Sequence, residues 1–169
     1  LHMAMLARKI LGLDEIWWMV TPQNPLKPSE DMSLLQNRLA YARKLVGKKT
    51  YIRVIAPELG ARNNYTFNTL NLLHKVAPRV NFVWIMGADN LIQFHKWHRY
   101  RDIVDRIPIA VIDRPGYSYA ALSVARLILS RRVPAKRLGK LERENRAKPP
   151  TWCFISERRH HASATALRA

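Results

Sequence analysis

Residues 82–97 (FVWIMGADNLIQFHKW) constrain the fold more than any other part of this chain. Phe82, Val83, Trp84, Ile85 and Met86 form a near-continuous apolar run, the pattern of a strand buried on both faces. Gly87, Ala88 and Asp89 interrupt it, and Leu91, Ile92, Phe94 and Trp97 resume it at helical spacing. A buried strand, a glycine turn and a helix start make half of a doubly wound α/β unit. Ligands of such sheets lie beyond the carboxyl ends of the strands, which places 87–89 on the binding edge.

The rest of the chain repeats the alternation. Residues 1–13 read as a helix with Met3, Leu6, Ala7, Ile10 and Leu11 apolar and Gly12 as its stop. No strand stands ahead of that helix, so a βαβ reading expects a missing first strand or an atypical start. Residues 15–20 (EIWWMV) read as a strand, and three prolines make 21–28 a loop. A helix follows over 33–46, with Leu34, Leu35, Leu39, Ala42 and Val46 inward, and Gly47 ends it. Next come a strand at 51–55, a polar loop at 57–64 and an amphipathic helix at 66–76 with Phe67, Leu70, Leu73 and Val76 on one side. Helical turns fill 89–94 and 99–106. Residues 109–112 (IAVI) are a buried strand closed by the turn Asp113-Arg114-Pro115-Gly116. A helix at 120–129, a strand at 152–155 and a helix from Ser163 complete the order. This alternation predicts an α/β fold with a mainly parallel sheet and right-handed crossovers.

Charge and length narrow the classes. At 169 residues the chain fits one domain, 1–169. It carries 29 Lys and Arg against 12 Asp and Glu, formally +17, a field that attracts phosphates on a nucleotide, an RNA or a lipid surface without choosing among them. Much of the excess lies in 131–150, where Arg131, Arg132, Lys136, Arg137, Lys140, Arg143, Arg146 and Lys148 face only Glu142 and Glu144. Poor in β-branched and aromatic residues, this stretch reads as a basic, solvated excursion from the domain. No apolar run reaches the roughly 18 residues of a membrane span, and no membrane partner is expected. A single cysteine, Cys153, excludes an internal disulfide framework and fits a reducing, cytoplasmic setting. With no motif around it, Cys153 reads as a small apolar residue, not a nucleophile.

The groups that fall after the strands are 21–27, Tyr65 and Thr66, Gly87 to Asp89, Arg114 and the Ser163 turn. Glycine admits close approach of a ligand, and hydroxyls and helix N-termini donate to phosphate oxygens. Each has a plain structural alternative. Asp89 could cap the next helix, worth ~0.5–2 kcal/mol. Thr66 could cap the 67–76 helix, Trp97 could be a core residue beside Phe94, and Ser163 could open an ordinary capped helix. The six histidines show no metal-ligand spacing, and neither GxxxxGK[ST] nor GxGxxG occurs.

Four segments in order carry a resemblance. They are Trp18-Met19-Val20-Thr21-Pro22-Gln23-Asn24-Pro25-Leu26-Lys27; Tyr65-Thr66-Phe67-Asn68-Thr69-Leu70, similar to YTxxTL; Met86-Gly87-Ala88-Asp89-Asn90-Leu91 with Phe94 and Trp97, similar to GxDxLxxFxxW; and Ser163-Ala164-Thr165-Ala166-Leu167-Arg168, similar to ISSTxIR with Ala162 and Ala164 departing from it. On these the chain resembles the bacterial nicotinate-nucleotide adenylyltransferases, nucleotidyltransferases of Rossmann-like fold, nearly end to end. The family opens with GxFxPxHxGH, whose histidines face the ATP phosphates. Nothing here matches that segment, so the resemblance assigns no catalytic residue and implies binding more directly than turnover. It implies transfer of the adenylyl group of ATP to nicotinate mononucleotide with Mg²⁺ on the phosphates. It further implies that Gly87, Asp89, Ser163, Thr165 and Arg168 hold ATP. Lys27, Tyr65, Thr66, Thr69, Trp97 and Arg114 would hold the mononucleotide. Two alternatives stand beside it: the same fold with another phosphate acceptor, and a non-enzymatic basic RNA-binding module.

Overall fold

The computed structural model describes residues 1–21, 35–58 and 65–156. The greater part of the 21–28 loop, Ser33, Leu34, most of the polar loop and the Ser163 helix lie outside the described residues. The described chain runs α1 (His2–Leu11), β1 (Ile16–Met19), α2 (Leu35–Val46), β2 (Ile52–Ile55), α3 (Thr66–Val76), β3 (Trp84–Gly87) and α4 (Ala88–Gln93). A 3-10 turn (Phe94–Lys96) follows, then α5 (Tyr100–Val104), β4 (Ile109–Ile112), α6 (Ser118–Ile128), β5 (Arg131–Arg132), α7 (Ala135–Arg143) and β6 (Thr151–Ile155). The alternation read from the sequence is therefore present, and the fold is α/β.

All strand pairs are parallel. β1 pairs with β2, and β3, β4, β6 and β5 form a sheet in that order. β4 lies between β3 and β6, and all four of its residues are buried. Its alternate residues serve two faces. Ile109 and Val111 join Leu70, Leu91, Phe94, Ile103 and Trp152 on one side. Ala110 and Ile112 join Leu6, Leu11, Leu138 and Cys153 on the other. Helices cover both faces, which is why IAVI lacks the polar alternation of a one-faced strand. Burying each such Leu or Ile contributes ~1.5–3 kcal/mol of transfer free energy. The β1–β2 pair has its own apolar cluster of Ile16, Val46 and Ile52, and Ile85 of β3 packs against it.

Gly12 ends α1 in the left-handed region at φ 65°, and Gly47 follows α2 at φ 55°, so both glycine stops act as their positions imply. Three readings need correction. Val76 is 65% exposed, because α3 turns its Phe67, Thr69, Leu70 and Leu73 positions inward instead. Gly87 is the last residue of β3 and the N-cap of α4, so the strand extends one residue past the apolar run. The 131–150 stretch, read as a basic, solvated excursion, carries regular structure. It supplies β5, paired with β6, and α7, which buries Leu138, Gly139 and Glu142. The eight basic side chains are solvated as their composition suggests, yet the backbone beneath them belongs to the fold.

α7 is held to α1 by close approach. A Cβ on Gly139 would lie 1.8 Å from the Leu11 carbonyl oxygen, so only glycine permits this crossing. Arg143 Nη1 donates to the carbonyls of Leu11 and Gly12, each at 3.2 Å, satisfying acceptors that the end of α1 leaves free. Cys153 is fully buried and burial pushes its thiol up to about 12, in keeping with an inert core residue.

Candidate nucleotide site at the carboxyl edge of the sheet

The register of β3 on β4 sets Gly87 opposite Ile112, so the two strands end level with each other. Asp89 lies two residues beyond Gly87, and Arg114 lies two residues beyond Ile112. Equal overhangs bring the two side chains together, and Arg114 Nη1 donates to Asp89 Oδ2 in a part-buried ion pair. The turn that carries Arg114 is closed by the Tyr117 amide donating to the Arg114 carbonyl at 3.0 Å, with Gly116 at φ 84°. Asp113 beside it accepts from the Ser118 hydroxyl.

Asp89 is not a helix cap. Gly87 is the N-cap of α4, and no side-chain capping bond is made there. Asp89 is the second residue of the helix, where a negative charge meets the positive end of the helix dipole. Its Oδ1 is buried and accepts no hydrogen bond. A Cβ on Gly87 would sit 2.5 Å from that oxygen and 3.8 Å from Arg114 Cδ. The missing side chain of Gly87 is thus the space in which the Asp89 carboxylate lies. An acceptor oxygen without a donor, at a glycine edge beside a cation, suits a ligand that brings hydroxyls and phosphate.

A second group lies at the start of α3, after the carboxyl end of β2. Tyr65, not Thr66, is the N-cap, with extended backbone and no side-chain capping bond. Thr66 opens the helix. The Tyr65 ring stacks on His98 with centroids 4.5 Å apart and planes 24° from parallel. His98 follows Trp97 directly, so the stack draws the Trp97 segment to the helix start. Trp97 is half-buried and packs edge-on against Phe94 at 5.2 Å and Trp84 at 6.3 Å. Arg99 then takes a left-handed conformation at φ 55°, donates to Asp102 at 2.9 Å and lays its guanidinium 4.0 Å from the Phe67 ring centroid.

Thr69 is 4% exposed, and its hydroxyl donates to Glu58 Oε1 at 2.7 Å. Glu58 is 6% exposed, its Oε2 is buried without a partner, and desolvation raises its carboxyl above the usual glutamate range. Sequence reasoning passed over both Glu58 and His98. A signal for Glu58 existed: it is an isolated acid between β2 and α3 in a strongly basic chain. Lys27, Ser163, Thr165 and Arg168 lie outside the described residues. The structure thus gathers Gly87, Asp89 and Arg114 at one point, and Tyr65, Thr66, Thr69 and Trp97 around the start of α3. An open groove of about 270 Å³, lined by Tyr100, Arg101, Val104, Asp105, Leu127 and Ile128, lies elsewhere. It involves the last turn of α6, which a right-handed crossover carries back toward the amino ends of the strands. No helix among the described residues is long and apolar enough to cross a membrane.

The cytidylyltransferase-like family model matches residues 1–169. A probable nicotinate-nucleotide adenylyltransferase of Agrobacterium fabrum is 43% identical over 167 residues, covering 98% of this chain and 87% of that protein. One of the same description from Brucella suis is 42% identical, covering 98% and 84%. Among solved structures, the Plasmodium falciparum nicotinic acid mononucleotide adenylyltransferase complexed with NaAD superposes with a TM-score of 0.58 at 16% identity, over 96% of this chain and 69% of that one. Its complex with APC gives 0.61 at 14% identity with the same coverage. The structural likeness carries the fold and the sequence likeness carries the kinship: the chain belongs to the cytidylyltransferase-like family, among the nicotinate-nucleotide adenylyltransferases.

Proposed function

We infer that this chain acts as one nucleotidyltransferase-like domain that transfers the adenylyl group of ATP to nicotinate mononucleotide, a step of NAD biosynthesis. A phosphate oxygen of the mononucleotide attacks the α-phosphorus of ATP. The bond to the β-phosphate breaks, and deamido-NAD and pyrophosphate are the products. The attacking oxygen is already anionic, so the work is positioning and charge neutralisation, not base catalysis.

The observation that carries the reading is the edge formed by Gly87, Asp89 and Arg114. Asp89 Oδ1 lacks a donor, and the ribose hydroxyls of ATP supply one. Gly87, without a side chain, leaves the Asp89 carboxylate its room at the strand end. Arg114 commits one N–H to Asp89 and keeps others for phosphate or carboxylate oxygens. Ser163, Thr165 and Arg168 serve the triphosphate by resemblance. Lys27 joins Arg114 on the mononucleotide. Tyr65 and Thr66 face the nicotinate with hydroxyl and amide groups, Thr69 supports them from within the first turns of α3, and Trp97 offers an aromatic edge or face to its flat ring. The ATP-using family implies a divalent metal. In this reading the metal is Mg²⁺, which would neutralise charge on the phosphates. The cytoplasm is the proposed compartment, in keeping with a single, unpaired, buried cysteine.

The test is an acceptor panel with ATP and Mg²⁺: nicotinate mononucleotide, its amide counterpart, and phosphates that other nucleotidyltransferases use. The acid or the amide mononucleotide should give dinucleotide at the highest kcat/KM. Turnover only on a non-pyridine phosphate would replace the acceptor, and no turnover on either pyridine mononucleotide would reject the reading.

A further inference from the structure

Glu58 has no place in the roles above, yet it is the most completely buried acid among the described residues. It stands three residues past the end of β2 and reaches Thr69 in the first turns of α3. Thr69 Oγ1 spends its only proton on Glu58 Oε1 at 2.7 Å and lies 3.5 Å from the Tyr65 carbonyl. With 4% exposure, the Thr69 hydroxyl is enclosed by protein in this structure and presents no donor to a ligand. Its part in acceptor binding must therefore be indirect.

Two residues upstream of Phe67, the chain makes its turn into helix, and the turn has no side-chain cap. The amides of Asn68 and Thr69 bond back to the Tyr65 carbonyl, while those of Thr66 and Phe67 have no helical acceptor. The Glu58–Thr69 bond is the described side-chain link between this turn and the end of β2. We propose that Glu58 is a positioning residue of the acceptor subsite, which through Thr69 fixes the helix start carrying Tyr65 and the amides of Thr66 and Phe67. This rests on the functional reading above and names what holds its mononucleotide side in place.

The chemistry requires an acceptor at residue 58, not a charge. No ion pair reaches Glu58 among the described residues, and Oε2 is buried without a partner. A buried, unpaired carboxylate is costly, whereas a neutral group accepting one hydroxyl bond is not. Gln at 58 keeps the accepting oxygen, and Ala removes it. At 69, Ser keeps the hydroxyl and Val removes it at nearly constant volume.

The experiment is steady-state kinetics on the full chain with E58Q, E58A, T69S, T69V and the E58A/T69V double variant, with ATP and nicotinate mononucleotide each varied. E58A and T69V should raise the mononucleotide KM by about 10- to 100-fold, the cost of a small misplacement, with the ATP KM changed less than about twofold. E58Q and T69S should stay within about threefold of the parent, and the double variant should be no worse than the poorer single one. Equal rises in both KM values, loss in E58Q as deep as in E58A, or a lowered melting temperature with unchanged KM would overturn the proposal. A parent protein without turnover would reject the functional reading and this inference with it. Turnover by the parent with an unmoved mononucleotide KM in E58A would overturn the inference alone.

Discussion

At the scale of the residue, the site depends on an oxygen that has no partner. Asp89 Oδ1 is buried beside Gly87 and free of donors, while Oδ2 is held by Arg114. Replacing Asp89 with Ala removes a charged acceptor worth ~1.5–3 kcal/mol to a bound hydroxyl, so kcat/KM for ATP should fall by about 10- to 100-fold. Asp89 caps nothing, but it pairs with Arg114 and meets the positive end of α4, so the melting temperature should fall by a few degrees while ATP use falls further, and a thermal shift assay beside the kinetics separates the two effects. Gly87→Ala makes a complementary test. Its φ of −77° suits alanine, but the new Cβ would press on the end of the Asp89 side chain. ATP affinity should therefore drop in a protein that still folds. Trp97 poses the opposite question, since it is half-buried and contacts two core aromatics. Trp97→Ala should raise the mononucleotide KM, and a large fall in melting temperature at normal KM would mark it as core alone. Gly87, Asp89 and Arg114 could each be picked out in the sequence because they follow strand ends, but the residues alone leave a capping role open for Asp89, and the ligand roles come from the family resemblance. Their meeting could not, since it follows from the level register of β3 and β4.

At the scale of the element, most helices and strands could be read from periodicity. IAVI at 109–112 and the helix at 66–76 match their observed bounds, the 1–13 segment differs only at its ends, and the described part of the 33–46 segment, 35–46, is helical. The failure was α7. Its inward stripe is Leu138, Gly139 and Glu142, of which only one is a large apolar residue, so its two faces segregate but its apolar content is too low to mark it as a helix packed on the core. Glycine serves there because the crossing with α1 leaves no room for a side chain. Gly139→Ala should force the two helices apart and cost roughly 1–3 kcal/mol or more, read as a lower urea midpoint. Arg143→Ala leaves the end of α1 without its two bonds and should cost about 1 kcal/mol. ATP affinity should survive both changes, because α7 takes no part in the Gly87 edge.

At the scale of the molecule, charge and burial shape the pH response. Glu142 lies on the inward face of α7, its Oε1 is buried without a donor, and burial raises its carboxyl from 4.5 to about 7. The stability associated with its neutral form is complete below pH 4.5 and is lost as pH rises through about 7. Glu142→Gln keeps the neutral form at every pH. It should match the parent near pH 4.5 and exceed it by about 1–3 kcal/mol at pH 8, measured by chemical denaturation across that range. The formal charge of +17 stands apart from that local effect, since most of the basic side chains of 131–150 are solvated and draw anions generally. It explains attraction to phosphates but not the choice of one, which belongs to the carboxyl edge of the sheet. The most direct measurement follows the α-phosphate itself, with ATP labelled at that position and supplied with Mg²⁺ and nicotinate mononucleotide. The label should appear in the dinucleotide, with one unlabelled pyrophosphate released per transfer. Label retained in ATP, or released as free AMP without dinucleotide, would contradict adenylyl transfer by this chain.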